Sequence, residues 1–341
     1  MADAEVIVLG AGGRPGRGNR GPSPSRAARL LAPPRSRSRS SSSGPAPAPA
    51  PAPAGARAGA EADEETGEDR LAQALAYLRR RITGDYEVDD LGFDAELTST
   101  VFMAALRPLA EKWFRIEVRG AEHVPRDGGA LVVANHSGTV PVDALMTALV
   151  VHDHVGRFLR LLGADLVFSL PFVSELARKG GVTVACTEDA ERTLGAGELV
   201  GVWPEGFKGI GKPYSERYRL QRFGRGGFVA AAIRTGVPIV PCSIVGAEEI
   251  YPLVGNLPTV ARLLGWPYFP ITPFFPALGP LGLVPLPSKW VIEFGEPVRT
   301  DAHPPGSADD SMLVFGVTDQ VRETIQHTLD HLVAQRGGAF S

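Results

Sequence analysis

Short apolar segments alternate with helix-type patterns along most of this 341-residue chain. ALVVA and VPIVPCSIV are two of the apolar segments, and FGRGGFVAAAIRTG and DQVRETIQHTLDHLVAQR are two of the helix-type ones. Strands that are separated by helices usually run parallel to one another, and helices then cover both faces of the sheet. The alternation therefore predicts an α/β fold with a mixed, mainly parallel sheet flanked by helices.

The first 68 residues differ in composition from the rest of the chain. Arg, Ser, Gly and Pro dominate there, as in SRSRSSSSGPAPAPAPAPAGARAG. Such a composition buries too little apolar surface to offset the entropy of ordering, so we expect a disordered tail over 1–68. The folded domain is expected over 69–341, opening with helices within 69–115. Hydrophobic residues make up 44% of the chain, which is enough for a sizeable core.

Charge and cysteine content narrow the possible partners. The net charge is −3, which provides no overall attraction to nucleic acid, so we predict no nucleic-acid partner. The two cysteines, Cys186 and Cys242, both follow or lie in apolar segments. Two cysteines are too few for a disulfide framework or a structural zinc site, so we predict free thiols, a reducing compartment and no metal.

The segment ANHSGTVPVDAL carries the first candidate chemistry. His136 follows an apolar segment, and Asp143 lies at the start of the next helix pattern. A histidine oriented by a carboxylate can take a proton from a substrate hydroxyl. The alternative is a structural histidine, with Asp143 as a helix N-terminal acid that complements the dipole. Three neighbours are expected to line the substrate site: Asn135, Ser137 and Gly138.

The second segment with candidate chemistry is VWPEGFKGIGKPYSERYRLQRFGRGGF. Pro204, Glu205 and Gly206 follow an apolar segment and precede a dense run of cations. Cations at this density suit a phosphate-bearing substrate or the phosphates of coenzyme A, and the alternative is a solvated basic surface. The predicted phosphate ligands in this basic loop (208–225) are Lys208, Lys212, Arg217, Arg222 and Arg225.

Taken together, NHSG…D, WPEG and VPIVPCSIVG resemble the sequence blocks of the PlsC-like glycerolipid acyltransferases. The resemblance covers roughly residues 85–300, and FGRGGFVAAAIRTGVPIVPCSIVGAEEIYP is similar to a branch of diacylglycerol acyltransferase-like membrane proteins. It implies the PlsC-like fold and an O-acyltransferase (EC 2.3.1.-). His136 would deprotonate the acceptor hydroxyl, and Asp143 would orient His136. The hydroxyl would attack the thioester of acyl-CoA or acyl carrier protein as co-substrate, with no bound cofactor or metal.

The resemblance also implies roles for the other blocks. Pro204, Glu205 and Gly206 would line the acceptor site, with Glu205 placing a glycerol hydroxyl or a backbone donor. Pro238 and Pro241 would shape the acyl groove.

Two departures from the family pattern bear on the acceptor and the base. Four residues usually separate the histidine from the aspartate, whereas Ser137 through Val142 are six. The second block, KGGVTVAC, also lacks the phosphate-binding arginine of the family. This favours a neutral acceptor such as diacylglycerol, or a phosphate bound instead by the arginines of the basic loop.

No residue from Leu263 to Ser288 is charged, but seven prolines interrupt this run. Interior prolines break helices, so a straight membrane-spanning helix is excluded. Two alternatives remain, an apolar loop at the membrane interface or packed core with many turns. We predict a membrane-facing loop over 252–288, on a protein that is peripheral or monotopic at the cytoplasmic face of the cell membrane. The expected aromatic anchors are Trp266, Tyr268, Phe269, Phe274 and Phe275.

Two rival functions are compatible with the same motifs. One is a catalytically inactive lipid-binding protein, which a broken His136–Asp143 contact would favour. The other is a thioester or ester hydrolase, in which water replaces the lipid hydroxyl. The chain has no Gly-x-Ser-x-Gly nucleophile segment, which counts against a serine hydrolase.

Overall fold

The computed structural model describes residues 67–138, 140–265 and 268–338. The chain divides into two compact units, one ending at Gly84 and the other running from Asp85 to the C-terminus. The predicted first helix is α1, Gly67–Thr83, in the first of these units. The predicted tail lies outside the described residues up to residue 66, as does the expected anchor Trp266.

Seven strands form one sheet in the order β1-β9-β6-β2-β5-β3-β4. Strands β2 to β6 are mutually parallel, whereas β9 runs antiparallel to β6 and parallel to β1. The predicted mixed, mainly parallel α/β sheet is therefore confirmed. The strands are β1 Glu117–Arg119, β2 Ala130–Ala134, β3 Leu159–Gly163, β4 Val182–Val184, β5 Leu199–Val202, β6 Ile239–Val245 and β9 Val291–Phe294, and the small separate ribbon pairs β7 Gly255–Asn256 with β8 Pro270–Ile271.

Helices connect these strands as the alternating pattern predicts. A helical stretch over 95–113 consists of Ala95–Leu97 (α2), a π-helical turn, Ala104–Pro108 (α3) and a second π-helical turn. Strand β3 and the two helices that follow it were not predicted from sequence. The remaining helices are α4 Val142–Val155, α5 Asp165–Ser169, α6 Val173–Lys179, α7 Thr187–Gly195, α8 Phe207–Ile210, α9 Gly227–Thr235, α10 Pro258–Leu264 and α11 Ser311–Gln335.

Two hydrophobic cores cover the two faces of the large sheet. Successive side chains of a strand point to opposite faces, so Val132 packs in one core and Leu131 and Val133 pack in the other. The first core contains α4 and the helical stretch 95–113, and the second contains α7, α9 and α11. The apolar face of the stretch 95–113 thus packs largely as core, which was one of the two expectations for it.

The carboxyl ends of the five parallel strands meet at one edge of the sheet, called here the carboxyl edge. His136 follows β2, Pro204 follows β5, and the hairpin of α5 and α6 (the α5–α6 hairpin, 165–179) follows β3. Because β2 pairs with both β5 and β6, the loops after these strands are neighbours. Ligand sites of open α/β sheets lie at such an edge, and both candidate motifs meet there.

The segment 252–288 contains short elements rather than one long helix. It holds α10, the β7–β8 ribbon and a 3₁₀ helix, Gly279–Leu283. No helix among the described residues has the length and apolarity to cross a bilayer. Apolar side chains in this segment are both exposed, as at Leu263, and packed, as at Leu253.

Candidate active site

His136 and Asp143 form a hydrogen-bonded pair at the carboxyl edge. The His136 ring nitrogen Nδ1 lies 2.7 Å from Oδ2 of Asp143, in the first turn of α4. The carboxylate is fully buried, and it also accepts the backbone N–H groups of Ser137 and Ala144, each at 2.9 Å. A carboxylate acceptor assigns the proton to Nδ1, which leaves Nε2 as the basic nitrogen.

The six intervening residues do not separate the pair. The backbone of Ser137 turns back onto the Asp143 carboxylate at 2.9 Å, and Gly138 takes a φ of 84°, which favours glycine. The longer spacing is therefore absorbed in a loop that closes on the aspartate itself. The His136 side chain keeps 15% of its surface exposed, so a substrate can reach it.

Glu205 supports His136 through the backbone. One carboxylate oxygen accepts the N–H of His136 at 2.9 Å, and the other accepts the N–H of Gln221 at 2.7 Å. The side chain is buried, and the Lys212 ammonium lies 3.7 Å away. Of the two roles expected for Glu205, its contacts are those of an acceptor for backbone donors. It ties the loop after β2 to the basic loop.

Lys212, one of the predicted phosphate ligands, is buried. Its side chain is 1% exposed, and its ammonium donates to the Arg219 carbonyl at 2.9 Å and to Glu248 at 3.1 Å. Its donors are used within the protein, so it is a buried structural cation. Burial raises the pKa of Glu248 to about 7, although the Lys212 charge opposes this rise.

A second buried ion pair fastens the end of α11 beside this cluster. Arg336 pairs with both carboxylate oxygens of Glu249, at 2.8 and 2.7 Å. The Tyr218 hydroxyl donates to Glu249 at 2.8 Å and accepts the N–H of Gly246 at 3.0 Å. Burial raises the pKa of the Tyr218 hydroxyl, and the Glu249 charge adds to the rise. The basic loop is therefore anchored on both the strand β6 side and the α11 side.

Comparison with known proteins places this chain in a family. Residues 115–245 match the family described as Acyltransferase. An uncharacterized protein of Mycobacterium tuberculosis (strain ATCC 25618 / H37Rv) is 58% identical over 272 residues, covering 79% of this chain and 76% of that protein. The chain belongs to the PlsC-like acyltransferase family. Members of this glycerolipid acyltransferase family use a lipid acceptor and an acyl donor, and O-acyl transfer is the reaction class.

Two further similarities are more distant. A human protein named DGAT1/2-independent enzyme synthesizing storage lipids is 29% identical over 193 residues, which are 56% of each chain. The crystal structure of the 1-acyl-sn-glycerophosphate (LPA) acyltransferase PlsC from Thermotoga maritima matches with 18% identity and a TM-score of 0.49. That match covers 79% of this chain and 91% of the other.

Three further residues of the family blocks are structural. The Asn135 amide is buried and bridges to β6, with its oxygen accepting the Ile244 N–H at 2.8 Å and its nitrogen donating to the Ile244 carbonyl at 3.0 Å. Pro241 lies buried inside β6, where it pairs with Val133, and Pro238 precedes that strand at the opposite edge of the sheet. These contacts are structural, and the substrate role expected of Asn135 and the acyl groove expected of the two prolines remain predictions.

The other predicted ligands surround the pair or lie exposed beyond it. Ser137 is buried against Asp143, and Gly206 is exposed with a φ of 55° at the start of α8. The other predicted ligands of the basic loop are exposed, and these are Lys208, Arg217, Arg222 and Arg225.

Sequence reasoning missed one aromatic neighbour of the base. Trp203 stands where the family block has phenylalanine, and its ring centroid is 6.1 Å from that of His136. The indole is buried, and its N–H has no hydrogen-bond partner in the described part of the chain. The WPEG motif contained this signal. Within the described ranges, no group of three or more His, Cys, Asp or Glu side chains is arranged to hold a metal ion.

Replacing Glu205 with glutamine separates a positioning role from a substrate-binding role. We expect the free energy of unfolding to fall by about 1–3 kcal/mol, because the amide leaves one buried N–H without an acceptor. We also expect kcat to fall with little change in the acceptor KM. Denaturant unfolding and steady-state kinetics measure both, with exposed Glu122→Gln as the control. A raised acceptor KM with unchanged stability would make Glu205 a substrate ligand instead.

Proposed function

We propose that this protein transfers a fatty acyl chain from acyl-CoA, or from acyl carrier protein, to a hydroxyl of a glycerolipid at a membrane surface. The His136–Asp143 contact at the carboxyl edge carries the proposal. Nε2 of His136 removes the acceptor proton while the oxygen attacks the thioester carbonyl. The carbon–sulfur bond then breaks, and the thiolate takes the proton from His136. The products are an ester lipid and free thiol, and no acyl-enzyme forms.

The same contact bears on the two rival functions. A His136–Asp143 separation too long for a hydrogen bond would favour an inactive lipid-binding protein. The observed distance of 2.7 Å between His136 Nδ1 and Asp143 Oδ2 removes that reason. A hydrolase differs only in the acceptor, so product analysis distinguishes it. Incubation with labelled acyl-CoA and a panel of glycerolipids is expected to give ester lipid. Free fatty acid as the main product would refute transfer in favour of hydrolysis.

The lost arginine of the second block supports a neutral acceptor. The human relative is named for the synthesis of storage lipids, which agrees with an uncharged acceptor such as diacylglycerol. The panel therefore pairs diacylglycerol with lysophosphatidate, and we expect the higher kcat/KM with diacylglycerol. Preference for lysophosphatidate would show that exposed cations of the basic loop replace the lost arginine.

Exposed apolar side chains near the carboxyl edge support membrane binding. At the tip of the α5–α6 hairpin, Phe172 is 90% exposed with a φ of 63°, and Leu176 is exposed beside it. In the segment 252–288, Leu263 and Leu281 are also largely exposed. Exposed apolar side chains of this size are common at interaction sites, and a lipid substrate must reach His136 from a bilayer. The free thiols of Cys186 and Cys242 support the cytoplasmic face.

Replacing Phe172 with serine tests this membrane surface. We expect vesicle binding to weaken by roughly tenfold, because burying a phenylalanine in an apolar phase contributes about 1.5–3 kcal/mol. Co-sedimentation with phosphatidylcholine vesicles measures it. The control is Met312→Ser, because Met312 is 79% exposed on α11, far along the chain from this hairpin. Equal losses in the two variants would argue against the α5–α6 hairpin as a membrane contact.

A further inference from the structure

An open cavity of about 180 Å³ lies between the basic loop and α11. Arg222 and Arg225 line it from the loop, and Asp319 and Arg322 line it from the helix. The sequence indicated the two loop arginines as phosphate ligands. It did not indicate Arg322, which reaches the same cavity from near the other end of the domain.

The cavity has an excess of positive charge. Three guanidinium groups face one carboxylate, and Arg322 donates to that carboxylate, Asp319, at 3.3 Å. Neither Arg222 nor Arg225 makes an ion pair or hydrogen bond with another residue in the described ranges. Converging guanidinium groups with unused donors suit an anion that offers several oxygens, and phosphate is the common case.

The loop that carries these arginines is firmly held against α11. A Cβ at Gly226, whose φ is 78°, would lie 2.6 Å from a Val314 methyl carbon and 2.7 Å from the Thr318 hydroxyl. Phe223 is 2% exposed and packs in the second core. The close approach therefore requires glycine, and the buried ring fixes the loop between the two arginines. The backbone that carries both arginines is preorganised, which lowers the entropic cost of binding.

An aromatic ring completes the cavity and indicates the kind of phosphate. Phe315 lines it from α11, and its side chain is 56% exposed. An exposed aromatic face beside arginines is the usual platform on which a nucleic-acid base stacks. A lipid phosphate would need the arginines but not the ring.

The loop also connects the cavity to the catalytic base. Gln221, next to Arg222, donates its N–H to Glu205, and Glu205 accepts the N–H of His136 with its other oxygen. The N–H of Gly224 donates to the Pro204 carbonyl at 3.3 Å. Coenzyme A carries its phosphorylated adenosine at the opposite end from its thioester. A nucleotide site set back from His136, but rigidly joined to it, fits that donor.

We propose that this cavity binds the phosphorylated adenosine end of coenzyme A. Arg222, Arg225 and Arg322 bind its phosphates, and Phe315 stacks on its adenine. The inference rests on the proposed function in one respect, since it assigns acyl-CoA as the donor. If these arginines bind the donor, they are not needed to bind a charged acceptor. This agrees with the absence of the family's phosphate-binding arginine from the second block.

Calorimetric titration of the full chain with free coenzyme A tests the assignment without turnover. We expect Arg222→Gln and Arg322→Gln each to weaken binding roughly tenfold, because each removes a charge-assisted hydrogen bond to a phosphate. Phe315→Ala is expected to weaken it less. Dephospho-coenzyme A should bind more weakly than coenzyme A to the wild type, and this difference should shrink in the arginine variants. Arg299→Gln, a 78% exposed arginine, is the control.

The second arm of the experiment distinguishes the two sources of phosphate. The affinity for short-chain lysophosphatidate, measured by the same titration, should be equal in the wild type and the arginine variants. Unchanged coenzyme A affinity in folded Arg222→Gln and Arg322→Gln would overturn the proposal, and loss of lysophosphatidate affinity instead would assign the cavity to the acceptor. If coenzyme A binding depends on the arginines but no lipid is acylated, the proposed transfer fails while the nucleotide site stands.

Discussion

The His136→Ala variant is expected to lose acyl transfer by a factor of roughly 10² to 10⁴, the usual contribution of a positioned general base. Alanine removes the imidazole that the Asp143 carboxylate orients, so no group at that position can take the hydroxyl proton. The His136 side chain is partly exposed and its backbone N–H still donates to Glu205, so folding should survive. The initial rate with labelled acyl-CoA and the best acceptor measures the loss.

The control for this variant is His327→Ala. His327 is an exposed histidine on α11, outside the carboxyl-edge loops, so its removal should leave the rate unchanged. The near-ultraviolet spectrum, to which the neighbouring Trp203 contributes, should match the wild type in both variants. A folded His136→Ala protein that transfers acyl chains at the wild-type rate would refute the mechanism.

The second large effect is expected from Asp143→Asn. The fully buried carboxylate accepts three N–H groups, those of the His136 ring, Ser137 and Ala144. The asparagine amide has one accepting oxygen where the carboxylate has two. At least one of these buried N–H donors must therefore lose its acceptor, or the tautomer of His136 must change. We expect kcat to fall by about 10² or more, since a misoriented or wrongly protonated imidazole is a poor base. The free energy of unfolding should also fall by about 1–3 kcal/mol.

A matched variant separates catalysis from a helix-dipole effect. Asp165 also lies in the first turn of a helix, but it is exposed. If Asp143 served only to complement the dipole, Asp165→Asn and Asp143→Asn would behave alike, each losing about 0.3–1 kcal/mol. Histidine nitrogen chemical shifts in labelled protein provide a direct reading. The Nδ1–H tautomer of His136 should dominate in wild type and in Asp165→Asn, and it should decline in Asp143→Asn.

The local chemistry of the site was predictable because its signals are local. An apolar strand followed by Asn-His-Ser-Gly, and a proline-initiated helix with an early aspartate, predicted where His136 and Asp143 lie. The spacing of six residues was the open point. Its resolution came from one backbone contact, Ser137 to Asp143, and from the left-handed conformation of Gly138. The number of intervening residues reveals neither feature, because a loop of that length can adopt many conformations.

Sequence reasoning is weakest for residues whose role depends on their depth in the fold. Asn135, Lys212 and Pro241 all stand beside family motifs, and a motif does not distinguish an exposed side chain from one that bridges the sheet beneath it. Lys212 is charged and occurs in a basic run, yet it is buried between Glu205 and Glu248. Strand β3 was missed because LRLLG is short and carries Arg160, which is buried against Phe93 and Asp89.

The sequence by itself determined the α/β class, the acyltransferase motifs and the residues of the candidate catalytic pair, because periodicity and short-range spacing encode them. Only the tertiary structure decided which loops meet. Parallel pairing of β2 with β5 brings Glu205 to the backbone of His136, 69 residues away in the chain. The packing of α11 against the basic loop brings Arg322 beside Arg222 and Arg225. Strand order and helix docking follow from the burial of the whole core, and no local segment of sequence contains that information.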